Sequence, residues 1–302
     1  MKKITITTTS FGNYDGSLLG GCQEKGLEVV LNPHGRKVKS EELIDLAKDS
    51  IGLIAGTEDI TKELLLKLPD LRVISRCGVG TDNIDLEAAK NLDIKIFNTP
   101  GAPTLAVAEL TMGLILNLLR KVSLMNRELR SSRWNKRMGN LLYGKKVGIK
   151  GLGRVGKKVA ELLKPFGCEI AYSDPFVEDE LSGLRRLCLE DLLAWVDILT
   201  IHVSVSEKLI GEREFQLMKK GAWLVNTSRG GVVDEHVLYD YLKNGYLSGA
   251  ALDVLEDEPY SGPLKELDNI IITPHIGSYA KESRLEMERQ AVENLLEGLE
   301  IA

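Results

Sequence analysis

At 302 residues, 43% hydrophobic and 5% aromatic with 29 glycines, the chain is long enough for about two domains and too apolar for disorder. Its 39 basic and 44 acidic residues leave a formal charge of −5, which argues against a dedicated nucleic-acid binder. Any anionic ligand must therefore be met by local cations. The four cysteines, Cys22, Cys77, Cys168 and Cys188, are scattered without a C-x-x-C pair. Reduced thiols in a cytoplasmic protein are expected, and no metal site. Lys2 and Lys3 precede a polar, alternating run rather than an apolar core, so no secretory signal is expected. The most apolar stretch, Leu110 to Leu119, is interrupted by Thr111 and Asn117 and is too short to span a bilayer, so no membrane partner is expected.

Short apolar runs alternate with helical patterns along the chain. Lys3–Thr8, Leu27–Leu31, Gly52–Ala55, Arg72–Arg76 and Ile94–Phe97 read as strands, with helices at Ser40–Lys48, Thr61–Leu68 and Leu86–Leu92. Asn98-Thr99-Pro100-Gly101-Ala102-Pro103 breaks the alternation, as a crossover between domains does. One long helix is predicted from Leu105 to Arg130, followed by a basic stretch with Arg133, Lys136 and Arg137. Strands resume at Lys146–Lys150, Glu169–Ser173, Ile198–Val203, Trp223–Asn226, Ala250–Val254 and Ile270–Thr273, and a last helix runs from Tyr279 to Leu299. The order βαβα places the chain in the α/β class, with parallel sheets covered on both faces.

The strand Lys145–Lys150 leads into Gly151-Leu152-Gly153-Arg154-Val155-Gly156. In this context G-x-G-x-x-G is a dinucleotide loop: Gly151 makes the turn, Gly153 admits a pyrophosphate, and Gly156 lets the next helix lie close to the sheet. That helix, starting near Arg154 and Val155, aims its N-terminal N–H groups at the anion. Asp174 lies 23 residues after Gly151, at the end of the next strand, where a carboxylate accepts from ribose hydroxyls and repels a 2′-phosphate. NAD is therefore the expected cofactor, in preference to NADP. Lys150 is unusual, because a central strand ordinarily ends on an apolar residue there.

Three further strand ends carry polar residues at the carboxyl edge, where open α/β sheets bind ligands: Asn226-Thr227-Ser228-Arg229-Gly230-Gly231, Asp253-Val254-Leu255-Glu256-Asp257-Glu258-Pro259 and Thr273-Pro274-His275-Ile276-Gly277-Ser278. Together with the glycine loop, Gly78-Val79-Gly80-Thr81-Asp82-Asn83-Ile84-Asp85 and Val107-Ala108-Glu109-Leu110-Thr111, these segments resemble the D-isomer-specific 2-hydroxyacid dehydrogenases over almost the whole chain. Within that family the resemblance is nearest to the D-3-phosphoglycerate dehydrogenase branch, and it implies the expectation of a short form without the C-terminal regulatory region of the longer members.

The resemblance implies two doubly wound parallel-sheet domains, with a Rossmann NAD-binding domain inserted into a flavodoxin-like substrate domain. Residues 1–98 and the helix of 279–302 form the substrate domain; residues 99–278 form the NAD-binding domain. The active site is expected in the cleft between them, with hinges near Pro100 and Gly277, and a homodimer through the NAD-binding domains. The family's catalytic arginine, acid and histidine fall on Arg229, Glu258 and His275. Cofactor contacts fall on Gly151, Gly153, Arg154, Val155, Gly156, Asp174, His202, Val203, Thr227, Ser228, Asp253 and Gly277. The substrate's carboxylate falls to the N–H groups of Val79 and Gly80, and Arg76 approaches its distal end. The chemistry suits a small anionic 2-hydroxy or 2-oxo acid: a guanidinium holds the carboxylate, and an imidazole paired with a carboxylate moves the proton. The expected reaction is NAD-dependent oxidation of D-3-phosphoglycerate to 3-phosphohydroxypyruvate, the entry to serine biosynthesis, with reduction of glyoxylate or hydroxypyruvate as the alternative. An NAD-sensing interaction protein is disfavoured by the intact Arg229, Glu258 and His275 set. The segment after His202, Val203-Ser204-Val205-Ser206-Glu207-Lys208, departs from the family's proline-containing, longer turn.

Overall fold

The computed structural model describes residues 2–177 and 184–301, and the chain divides into two compact units, Met1–Pro103 with Ser278–Ala302 and Thr104–Gly277. In the first unit, β1 (Lys2–Ile6), α1 (Ser17–Glu24), β2 (Leu27–Leu31), α2 (Ser40–Ala47), β3 (Ser50–Ala55), α3 (Lys62–Leu65), β4 (Val73–Arg76), α4 (Leu86–Asn91) and β5 (Lys95–Asn98) alternate strictly. The strands form a parallel sheet in the order β2-β1-β3-β4-β5, the flavodoxin-like winding. The central strands β3 and β4 are buried on both faces, which is why they read as nearly continuous apolar runs. Leu43, Leu53, Leu65, Ile74 and Ala89 fill one side; Ile4, Ile6, Ile54 and Val73 meet Met287, Ala291 and Leu295 of the C-terminal helix Lys281–Gly298 on the other. Helix α1 is absent from the sequence expectation because its adjacent Gly20 and Gly21 lower helix propensity; it is held through buried Cys22.

In the second unit, α5 (Thr104–Arg120), α6 (Val122–Arg130), β6 (Lys146–Lys150), α7 (Arg154–Leu163), β7 (Glu169–Ser173), β8 (Arg185–Arg186), α8 (Leu189–Trp195), β9 (Ile198–Ile201), α9 (Glu212–Leu217), β10 (Trp223–Asn226), α10 (Glu235–Lys243), β11 (Gly249–Leu252) and β12 (Ile270–Ile272) follow in order. The parallel sheet runs β12-β11-β10-β9-β6-β7-β8, a Rossmann order extended by one edge strand. Chain direction across the sheet reverses between β6 and β9, and the loops after those two strands therefore open a crevice. The core beneath them contains Val147, Ile149, Leu199, Ile201, Leu224 and Val225.

The single helix expected over Leu105–Arg130 is two helices. Lys121 takes the left-handed conformation at φ 55°, and the Asn117 side chain caps the restart by accepting from the Ser123 N–H at 2.8 Å. Residues 98–103, read from sequence as the crossover, are tied to the first unit. Asn98 donates to the Val79 carbonyl, Thr99 N–H to the Gly78 carbonyl, and the Ser283 hydroxyl to the Ala102 carbonyl. Among the described residues, no helix is long and apolar enough to cross a membrane.

Candidate active site

Gly151 sits at φ +92°, a conformation that favours glycine, and a Cβ there would lie 2.6 Å from the His202 carbonyl oxygen. Its absence lets the loops after β6 and β9 touch. A Cβ on Gly156 would lie 2.1 Å from the Gly151 carbonyl oxygen, so α7 packs directly under the loop. Gly153 differs: a Cβ there meets nothing within 4 Å, which leaves open space at the N-terminus of α7. Close packing at Gly151 and Gly156 with an open cradle at Gly153, flanked by Arg154 and Val155, fits a pyrophosphate. Asp174 closes the loop from β7, its carboxylate accepting from the Leu152 N–H at 2.7 Å and the Phe176 N–H at 2.8 Å.

Behind this edge lies a buried chain of hydroxyls through His202. The Thr111 hydroxyl donates to the Val107 carbonyl at 2.8 Å. Its oxygen, 3.0 Å from that of Thr227, is then the acceptor for the Thr227 hydroxyl. Thr227 in turn accepts from His202 Nδ1 at 3.4 Å, and His202 Nε2 accepts from the Thr200 hydroxyl at 2.8 Å. Donating through Nδ1 and accepting at Nε2, His202 is a neutral imidazole with its proton on Nδ1. Burial pushes its pKa down to about 3. Val203 packs on Gly151. The hydroxyl and N–H of Ser228 both donate to Asn226 Oδ1. Asp253 is buried and accepts from the Thr273 hydroxyl at 2.6 Å, the Ile276 N–H at 2.8 Å and the Gly277 N–H at 2.7 Å. It thereby shapes the loop that carries His275.

His275 Nδ1 and Glu258 Oε2 are 2.8 Å apart. The Glu258 carboxylate is itself anchored, Oε1 accepting from the Leu255 N–H at 3.1 Å. The hydrogen bond from His275 to Glu258 raises the His275 pKa, against the opposing effect of burial. With Nδ1 committed to Glu258, Nε2 is the ring nitrogen left for another partner. Of three consecutive acids, Glu258 alone pairs with this histidine; the Glu256 N–H instead donates to Glu235. Arg229 comes to the same place through Gly230, where a Cβ would lie 1.9 Å from the Leu255 carbonyl oxygen and 2.9 Å from the Glu256 nitrogen. That approach presses the Arg229 loop against the loop that anchors Glu258. The Arg229 carbonyl accepts from Asn226 Nδ2, and its Nη1 donates to the Ser228 carbonyl.

In the first unit, Arg76 ends β4 and folds back so that Nη1 donates to the Cys77 carbonyl. A Cβ on Gly78 would collide with this guanidinium, so glycine makes room for it. Among the described residues, the N–H groups of Val79 and Gly80 donate to no protein acceptor. Burial raises the neighbouring Cys77 thiol to about 11, so it stays protonated at neutral pH.

Two features have no role assigned from the sequence. Asn226 is the hub of the Arg229 loop, although the residue itself stands within the motif. The odd Lys150 and the unremarked Arg186 line one pocket with Asp174. The lysine was detectable from its place in a strand; the arginine lies on the edge strand β8, which has only two residues.

Residues 112–277 match the family model described as D-isomer specific 2-hydroxyacid dehydrogenase, NAD binding domain. The chain is 41% identical over 256 residues to a D-3-phosphoglycerate dehydrogenase of Methanocaldococcus jannaschii, covering 81% of this chain and 49% of that protein. It thus spans about half the length of that relative. It is also 41% identical over 275 residues to a glyoxylate reductase of Aeropyrum pernix, covering 85% and 82% of the two chains. A crystal structure of a Thermus thermophilus protein superposes with a TM-score of 0.92 at 35% identity, over 99% of this chain and 97% of that one.

Proposed function

The chain belongs to the D-isomer-specific 2-hydroxyacid dehydrogenase family, and from that premise we propose that it interconverts D-3-phosphoglycerate and 3-phosphohydroxypyruvate with NAD. The observation that carries the reaction class is the His275–Glu258 pair on the carboxyl edge of the sheet that bears the dinucleotide loop. The residues from Gly151 to Gly156 hold the pyrophosphate, and Asp174 takes ribose hydroxyls. Bound NAD supplies the hydride exchange at the substrate's second carbon. His275 holds the proton: its raised pKa keeps the imidazolium available, and Nε2 passes the proton to the carbonyl oxygen during reduction and recovers it during oxidation. Glu258 fixes the ring and stabilises its charge. Arg229 meets the carboxylate with a planar, permanently charged fork. His202, Thr227, Ser228, Asp253 and Gly277 shape the nicotinamide end, His202 as a neutral group that adds no charge.

In this proposal the glycine loop of the first unit, with the N–H groups of Val79 and Gly80, receives a substrate anion, and Arg76 receives the distal phosphate. The similarity to phosphoglycerate dehydrogenases supports that choice. A second reading, reduction of glyoxylate, is favoured by a specific observation: the glyoxylate reductases of Aeropyrum pernix and Thermococcus litoralis match over 82% and 88% of their lengths. A panel of 2-hydroxy and 2-oxo acids assayed with NAD and NADH decides between them. Preference for 3-phosphoglycerate supports the first reading; preference for glyoxylate or hydroxypyruvate replaces it. A homodimer through the NAD-binding unit belongs to the same proposal and is supported by the exposed Trp134, Met138, Leu141 and Tyr143 in one segment. The free thiols support a cytoplasmic location.

A further inference from the structure

Lys150 ends β6, and Asp174 directly follows β7, the strand paired beside it. Its ammonium is half buried and lies 3.5 Å from the Ser173 hydroxyl. Burial lowers the lysine pKa, and the Asp174 charge opposes that shift, so the two side chains act on each other in this pocket. The pocket has a volume of about 520 Å³ and is walled by Lys150, Ser173, Asp174, Arg186 and Cys188. Arg186 reaches it from β8, and its guanidinium makes no hydrogen bond or ion pair among the described residues. The adjacent Arg185 differs, since its guanidinium stands 6.0 Å from the Trp195 ring centroid.

An acid after the second strand rejects a 2′-phosphate when it is the dominant charge of its pocket. Here it is not. Lys150 and Arg186 bring two positive charges against one negative charge, leaving a formal +1 among the lining residues. Both oxygens of Asp174 also accept backbone N–H groups, from Leu152 at 2.7 Å and Phe176 at 2.8 Å, which hold the carboxylate against the loop. A phosphate monoester carries about −1.5 to −2 at pH 7 and three acceptor oxygens. One compact ammonium and one planar guanidinium are a donor set that suits such a group. We infer that Lys150 and Arg186 form a subsite for a ribose 2′-phosphate beside Asp174, so that this chain accepts NADP as well as NAD. The inference rests on the cofactor reading above and concerns only the adenosine end of the molecule.

The test is equilibrium binding, followed by quenching of protein fluorescence, for NADH and NADPH on the wild-type chain, Lys150→Met and Arg186→Gln. Competition by adenosine 2′,5′-bisphosphate and by 5′-AMP isolates the phosphate from the nicotinamide. Lys150→Met keeps the bulk of a half-buried side chain, and Arg186→Gln changes an exposed one, so the second variant stands if the first folds poorly. The wild type is expected to bind NADPH within tenfold of NADH, and adenosine 2′,5′-bisphosphate at least as tightly as 5′-AMP. Each variant is expected to weaken NADPH at least tenfold more than NADH. NADH binding with NADPH more than tenfold weaker in the wild type overturns the subsite alone, as does a parallel loss of both cofactors in the two variants. Failure of NADH and 5′-AMP to bind at all overturns the cofactor reading as well.

Discussion

Gly230→Ala tests whether the approach of two loops, rather than any single side chain, assembles the catalytic set. The added Cβ would stand 1.9 Å from the Leu255 carbonyl oxygen, and ordinary contact begins near 3.4 Å, so the segments must part by about 1.5 Å. Both obstructing atoms nearest the site, the carbonyl oxygen and carbon of Leu255, are backbone and cannot rotate away. Leu255 N–H anchors Glu258, and Glu258 anchors His275, so the displacement reaches the proton-carrying nitrogen. A misplacement of about 1 Å costs on the order of 10²-fold in rate, roughly 2.7 kcal/mol of transition-state stabilisation. Overpacking adds about 1–3 kcal/mol of lost stability. Turnover, thermal melting and NADH titration are measured on the same preparation. Turnover is expected to fall about 10²-fold, with a lower melting temperature and NADH affinity within a few-fold of wild type. Gly153→Ala is the contrast: its Cβ has open space, so the fold should melt normally while NADH binding weakens. A Gly230→Ala variant with turnover within threefold of wild type refutes the reasoning.

His275→Ala should cut turnover by about 10² to 10⁴ with NADH binding retained. Glu258→Gln should move the loss of reductase activity to lower pH, because the protonated imidazole is the acid and Glu258 is what raises its pKa; an unmoved profile would separate Glu258 from the acid–base step. His202, neutral in the fold with a pKa of about 3, makes the unfolded chain bind the extra proton below about 6.5. Wild-type stability should therefore fall as pH drops from about 6.5 toward 3, by at most about 1.4 kcal/mol per pH unit from this group, and His202→Asn should flatten that dependence in urea melts. Arg76→Ala should weaken 3-phosphoglycerate by about 1.5–3 kcal/mol and leave glyoxylate unaffected. Steady-state kinetics on both compounds check it, and a parallel loss would place Arg76 in the fold or at the carboxylate.

What the amino-acid order determined by itself is the local steric and periodic information. Gly151 and Gly156 stand where a turn and a close helix admit no Cβ, and the strands around them have apolar centres readable from neighbours a few residues away. His275, Glu258 and Arg229 are likewise visible as polar residues just past strand ends, because a parallel sheet gathers those ends at one edge. Tertiary structure alone decided how they meet. Residues 230 and 255 lie in loops after β10 and β11, and only the pairing of those strands brings Gly230 against Leu255. The choice of Glu258 among three consecutive acids follows from the Leu255 N–H that turns its carboxylate toward the ring. The neutrality of His202 depends on hydroxyls from Thr111, Thr200 and Thr227, which belong to three separate elements or their ends. The break at Lys121 depends on an Asn117 cap that helical periodicity does not encode. Lys150 and Arg186 become one pocket because β7 carries its neighbours β6 and β8 on either side. Nearly all of these outcomes are contacts between distant parts of the chain, set by strand order and burial, and none is contained in the periodic pattern of a single segment.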